Sequence, residues 1–83
     1  MDEVKLYNEV ALARSVRGTN LKAGDVAVLV DIVPHHRGGE AGGVLEVFNA
    51  VGESIAVVTV PISSVTRLRA DQVPTVRTLA AAD

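Results

Sequence analysis

Apolar residues in this chain fall in short blocks separated by polar, glycine-bearing stretches, a rhythm of strands and turns rather than of long helices. Val4 to Leu12 reads as a first strand, with Leu6, Val10 and Leu12 on one face and Tyr7, Glu9 and Ala11 on the other. Leu6, Val10 and Ala13 also fit a helical period, but the chain beyond them suits a short strand better than a long helix. Arg14 to Asn20 is polar, contains Gly18 and predicts an exposed loop. Leu21-Lys22-Ala23-Gly24-Asp25 predicts a tight turn, with Gly24 at positive φ and the Asp25 side chain bonding back to the turn. Val26 to Val33 is apolar except for Asp31, which predicts a strand covered on both faces and ended by Pro34.

Pro34 to Gly43, with Gly38-Gly39 and Gly42-Gly43, predicts a long mobile loop. Val44 to Asn49 predicts a third strand with Leu45 and Val47 inward and Glu46 and Phe48 on the opposite face. Ala50 to Ser54, centred on Gly52, predicts a hairpin leading into Ile55–Val60. Pro61 to Ser64 suits a single 3-10 turn, and Val65 to Arg69 a short closing strand. The expected fold class is therefore all-β: a small five-stranded barrel of SH3-like order, or a strongly bent sheet, over residues 1–69. Residues 70–83, with Pro74 and three closing alanines, predict a flexible tail that is frayed or ordered only by docking.

Composition sharpens this picture. The 83 residues include sixteen valines, whose branched Cβ suits a pleated surface. Tyr7 and Phe48 are the only aromatics and there is no cysteine, so stability must come from aliphatic packing without disulfides. A domain this small often gains further stability from self-association or from a partner, so a homo-oligomer is compatible with the composition. The formal charge is −2 with no basic cluster, which argues against a phosphate-neutralising surface. No signal-like start and no membrane-length apolar run is present, which gives a bacterial-type cytoplasmic protein as the expectation.

Leu6-Tyr7, Val10-Ala11-Leu12, Leu21-Lys22-Ala23-Gly24-Asp25-Val26, Val30, Leu45-Glu46-Val47-Phe48, Gly52, Val57–Val60 and Val65…Leu68 together carry a resemblance. Over Lys5 to Leu68 the chain resembles a small bacterial domain family of uncharacterised function with an SH3-like, KOW-like barrel pattern. It departs from that pattern at Ala27, where a second glycine is usual, and in its longer, glycine-rich His35–Gly43 loop. The resemblance implies a binding or neutralising role beside a larger toxin-like protein. It brings no catalytic residues with it.

Reactive chemistry is sparse. His35-His36, with Glu40, invites a metal reading, but neighbouring residues on extended backbone point apart and a site needs three or four convergent ligands. The alternative is a pair of solvated loop histidines. Gly38 to Gly43 superficially resembles a phosphate loop, yet a strand follows it, no Lys-Ser/Thr pair exists, and Glu40 would repel an anion. Ser63 and Ser64 have no placed base, and no nucleophile elbow appears. The expectation is a non-enzymatic chain without cofactors.

By elimination and resemblance, the sequence points to a protein-interaction module, in the manner of an antitoxin or immunity protein. Asp31, Glu40, Glu46 and Glu53 would meet a basic protein partner. Phe48 would serve as an anchor beside Glu46, unless it plugs the end of the barrel. A nucleic-acid- or ribosome-associated barrel using Arg14, Arg17, Lys22 and Arg37 is the alternative, weakened by the scarcity of aromatic platforms. A structural subunit of a larger assembly also fits.

Overall fold

The computed structural model describes residues 4–34 and 39–79. These residues form one antiparallel sheet of five strands: β1 (Glu9–Leu12), β2 (Val26–Val33), β3 (Gly42–Phe48), β4 (Ser54–Pro61) and β5 (Val65–Arg67). A single 3-10 turn, Ile62–Ser64, separates β4 from β5. The strand order is β4-β3-β2-β1-β5, so β4 and β5 are the edges and the sheet is open.

Alternation along each strand places one face on the core. Leu29 and Leu45 pair directly across β2 and β3 and are fully buried, joined by Val10, Leu12, Leu21, Ala27, Val47, Val60 and Val65. Burying a leucine of this kind contributes roughly 2 kcal/mol relative to leaving it in water. Among the described residues, the core holds no aromatic side chain. Asp25 Oδ2 accepts the Lys22 N–H at 2.8 Å, and Gly24 takes φ +92°, so the turn into β2 closes as its residues predict.

The structure differs from the sequence expectation in three places, each for a local reason. First, β1 begins only at Glu9. Residues 5–8 form a turn in which the Asn8 N–H bonds the Lys5 carbonyl at 3.2 Å and Tyr7 adopts φ +66°, although the Tyr7 N–H still reaches the Leu29 carbonyl. Second, β2 is covered on both faces only in its first half. A bulge between Leu29 and Asp31 sets Asp31 opposite Val44, and Ile32 and Val33 emerge partly exposed.

Third, Gly42 and Gly43 belong to β3 rather than to the preceding loop. A Cβ on Gly43 would lie 3.1 Å from Ile62 Cδ1 and 3.2 Å from Leu29 Cδ1. The glycine lets the 3-10 turn and β2 close over this end of β3. Residues 35–38 of the intervening loop, and with them His35, His36 and Arg37, lie outside the described residues.

Residues 70–79 carry no regular secondary structure, yet Arg77 bonds to Asp25 and Leu79 packs against the core. No helix among the described residues is long and apolar enough to cross a membrane.

Candidate functional site

Cross-strand register defines what the sheet presents on its outer face. Val28, Glu46 and Val57 form one row across β2, β3 and β4, extended by Glu9 on β1. Asp31, Val44 and Thr59 form the next row. Directly opposed residues share a face, and β3 alternates, so Phe48 joins Val44 and Glu46 on this side. Val57, directly opposite Glu46, is 61% exposed, and Phe48, two residues along β3, is 42% exposed.

Two properties distinguish this face. Strands β1 to β4 carry three acids, Glu9, Asp31 and Glu46, and not one lysine or arginine. Glu46 is half-buried between Val28 and Val57, and its carboxylate has no hydrogen-bond or ion-pair partner among the described residues. A carboxylate in such surroundings gives up part of its hydration without a protein partner in return.

Of the acids read from the sequence as partner contacts, Asp31 and Glu46 therefore share one face with Phe48. Glu40 and Glu53 stand elsewhere. Glu40 accepts the Ser63 N–H at 3.1 Å and the Ser63 hydroxyl at 2.9 Å, pinning the 39–41 segment to the 3-10 turn. A shallow groove of about 400 Å³ between Val33, Glu40, Thr59 and Pro61 lies beside this contact. Glu53 sits in the β3–β4 hairpin and accepts from Asn49 Nδ2 at 2.9 Å, while Asn49 Oδ1 accepts the N–H groups of Val51 and Glu53. Phe48 stands at the start of this hairpin, outside the core cluster.

No group of three or more histidine, aspartate or glutamate side chains capable of holding a metal occurs among the described residues. The histidine pair and Gly38 fall outside them. Ser63 Oγ donates to Glu40, an anchoring contact, and no histidine among the described residues is there to serve as base.

A second locus was not legible in the sequence. Arg77 Nε donates to Asp25 Oδ1 at 2.8 Å, and Nη2 reaches Asp25 Oδ2 at 2.5 Å and the Asn20 carbonyl at 2.6 Å. These hydrogen bonds, with lesser help from the Lys22 N–H, hold the Asp25 carboxyl below the usual carboxylate range against the opposing effect of burial. Two residues on, Leu79 packs against the core and, with Leu21, Ile55, Ala56 and Val58, lines an apolar cleft of about 420 Å³. Nothing near Arg77 in the sequence marks Asp25 as its partner; only the fold brings them together.

Comparison with protein-family models, curated proteins and solved structures finds no match.

Proposed function

We propose that this chain is a non-enzymatic protein-interaction module that binds a basic protein partner through the outer face of β2, β3 and β4. The observation that carries the reading is Glu46, a half-buried carboxylate without a partner among the described residues, set between valines on a face whose four strands hold acids and no bases. A partner that sets an arginine or lysine against Glu46 and apolar side chains against Val57 and Phe48 satisfies both features. The strand order and the 3-10 turn before β5 support an SH3-like barrel pattern for the scaffold. In keeping with the family resemblance of residues 5–68, the partner is the larger product of a neighbouring gene, which this chain neutralises in the cytoplasm of a bacterium.

Co-expression with that product and gel filtration test the reading. A stoichiometric complex is expected, and Glu46→Lys with Val57→Lys should abolish it while the chain stays folded. Separate elution of the two wild-type proteins overturns it. Arg14, Arg17 and Lys22, which share the connection between β1 and β2, support the alternative of a nucleic-acid-bound module. Salt-sensitive RNA binding lost on neutralising those three residues would favour that alternative.

A further inference from the structure

Residues 69–79 run from one edge of the open sheet towards the other. They follow β5, and Leu79 ends against the core, where it lines a cleft with Ile55, Ala56 and Val58 of β4, the opposite edge. The segment has three parts. At its root, residues 69–72 form a self-contained turn. The Gln72 N–H bonds the Arg69 carbonyl at 3.0 Å, the Arg69 N–H bonds Gln72 Oε1 at 2.7 Å, and Arg69 Nε pairs with Asp71 at 3.1 Å. In its middle, Val73 and Val76 are 82% and 99% exposed. Its end is seated by Arg77 on Asp25 and the Asn20 carbonyl, and by Leu79 on the core. Among the described residues no backbone hydrogen bond ties residues 73–79 to the rest of the chain.

We propose that residues 69–79 are a hinged strap that opens and closes as one unit on an intact sheet, turning at residues 69–72, locked by Arg77 on Asp25, and uncovering the core beside Leu21 when it opens. A segment held by one solvent-facing ion pair and one aliphatic contact belongs to the least stable part of a fold, and such parts open without global unfolding. The pairings that join β1 to β5 use none of its residues, so they survive its release. Release removes Leu79 as a wall of the cleft and leaves Leu21, which is 2% exposed in the closed state, facing water. The lock suits arginine, whose planar fork engages both oxygens of Asp25 and the Asn20 carbonyl together; a lysine ammonium has no such fork. This device goes beyond the outer-face reading and does not rest on it.

The full chain permits a direct test. It has no cysteine, so Val76→Cys, at a side chain almost wholly exposed, accepts a single nitroxide label. With the strap closed, the label broadens the amide signals of Asn20, Leu21 and Asp25. Arg77→Gln in the labelled chain should cut that broadening several-fold, with Arg77→Lys between the two, while the amide shifts of β2 and β3 stay as they are. In unlabelled Arg77→Gln, a soluble paramagnetic probe should broaden the Leu21 methyl signals, which are sheltered in the wild type. Broadening that is absent from the labelled parent, or undiminished by Arg77→Gln, overturns the proposal. So do β2 and β3 shifts that move to unfolded values as the strap is released, since the strap would then be inseparable from the sheet. Leu21 methyl signals that stay sheltered after release would show that the strap covers nothing, and overturn it equally.

Discussion

Arg77 donates from two guanidinium nitrogens to both carboxylate oxygens of Asp25, a residue 52 positions earlier in the chain. Asp25 Oδ2 also accepts the Lys22 N–H that closes the turn into β2. One carboxylate therefore holds both a local turn and a distant strap. That dual use ties the order of residues 70–79 to the start of the central strand.

This pairing makes part of the stability acid-sensitive. The Arg77 hydrogen bonds lower the Asp25 pKa in the folded state, so the folded chain binds its proton later than the unfolded chain as pH falls. The stabilisation is complete above the unfolded carboxylate pKa of about 3.9 and is lost as pH falls through the lower folded value. At neutral pH, Asp25→Ala should cost about 1 kcal/mol, because solvent screens the exposed guanidinium and weakens its charge-assisted bonds. Thermal melts of the wild type and Asp25→Ala should differ by a constant amount from pH 7 to about 5, then converge in stronger acid. A gap independent of pH down to about 2 would contradict the assignment.

Gly43 should be intolerant of even one methyl. An alanine Cβ would press on Ile62 Cδ1 and Leu29 Cδ1 at little more than 3 Å, inside a packed core. Overpacking of this kind costs about 1–3 kcal/mol. Ile62→Val deletes one of the two obstructing atoms, so Gly43→Ala should be less destabilising in that background. Denaturant unfolding of the four proteins gives the coupling directly.

Tyr7 offers the opposite outcome. It holds φ +66°, a conformation that costs a residue with a Cβ about 1 kcal/mol or more. Its side chain is 74% exposed and so returns little packing. Tyr7→Gly should therefore be neutral to stabilising by up to about 1 kcal/mol, an unusual result for a tyrosine deletion. A loss above about 1 kcal/mol in chemical denaturation would show that the ring contributes more than its exposure suggests.

The features legible in the sequence are those decided by near neighbours. Val26–Val33, the Leu21–Asp25 turn, the hairpin around Gly52 and the 3-10 turn after Pro61 each follow from a few adjacent side chains, and each is present. Placement of Asp31, Glu46 and Phe48 on one face was half legible. Alternation joins Glu46 to Phe48, but Asp31 reaches them only through the bulge at residue 30, which depends on pairing with β3. Gly42 and Gly43 resemble loop residues locally and become strand residues through pairing with β2 and β4, where Thr59 and Val33 crowd Gly42 and Ile62 and Leu29 crowd Gly43. The Arg77–Asp25 contact is wholly non-local, and no pattern near either residue announces it.

Glu46 is where stability and the proposed interaction should pull apart. Its cross-strand neighbours are Val28 and Val57, so a β-branched aliphatic residue suits the site better than a carboxylate that is half-buried and unpartnered among the described residues. Glu46→Val should raise stability by about 0.5–1 kcal/mol, read as a higher denaturation midpoint at an unchanged slope. If the carboxylate is retained to meet a basic partner, the same substitution weakens the co-expressed complex, and Glu46→Asp weakens it less. A stabilised variant with undiminished binding would remove Glu46 from the interface. A destabilised one would mean that the carboxylate is held by the fold itself, and the outer face would then lose the feature that distinguishes it from an ordinary sheet surface.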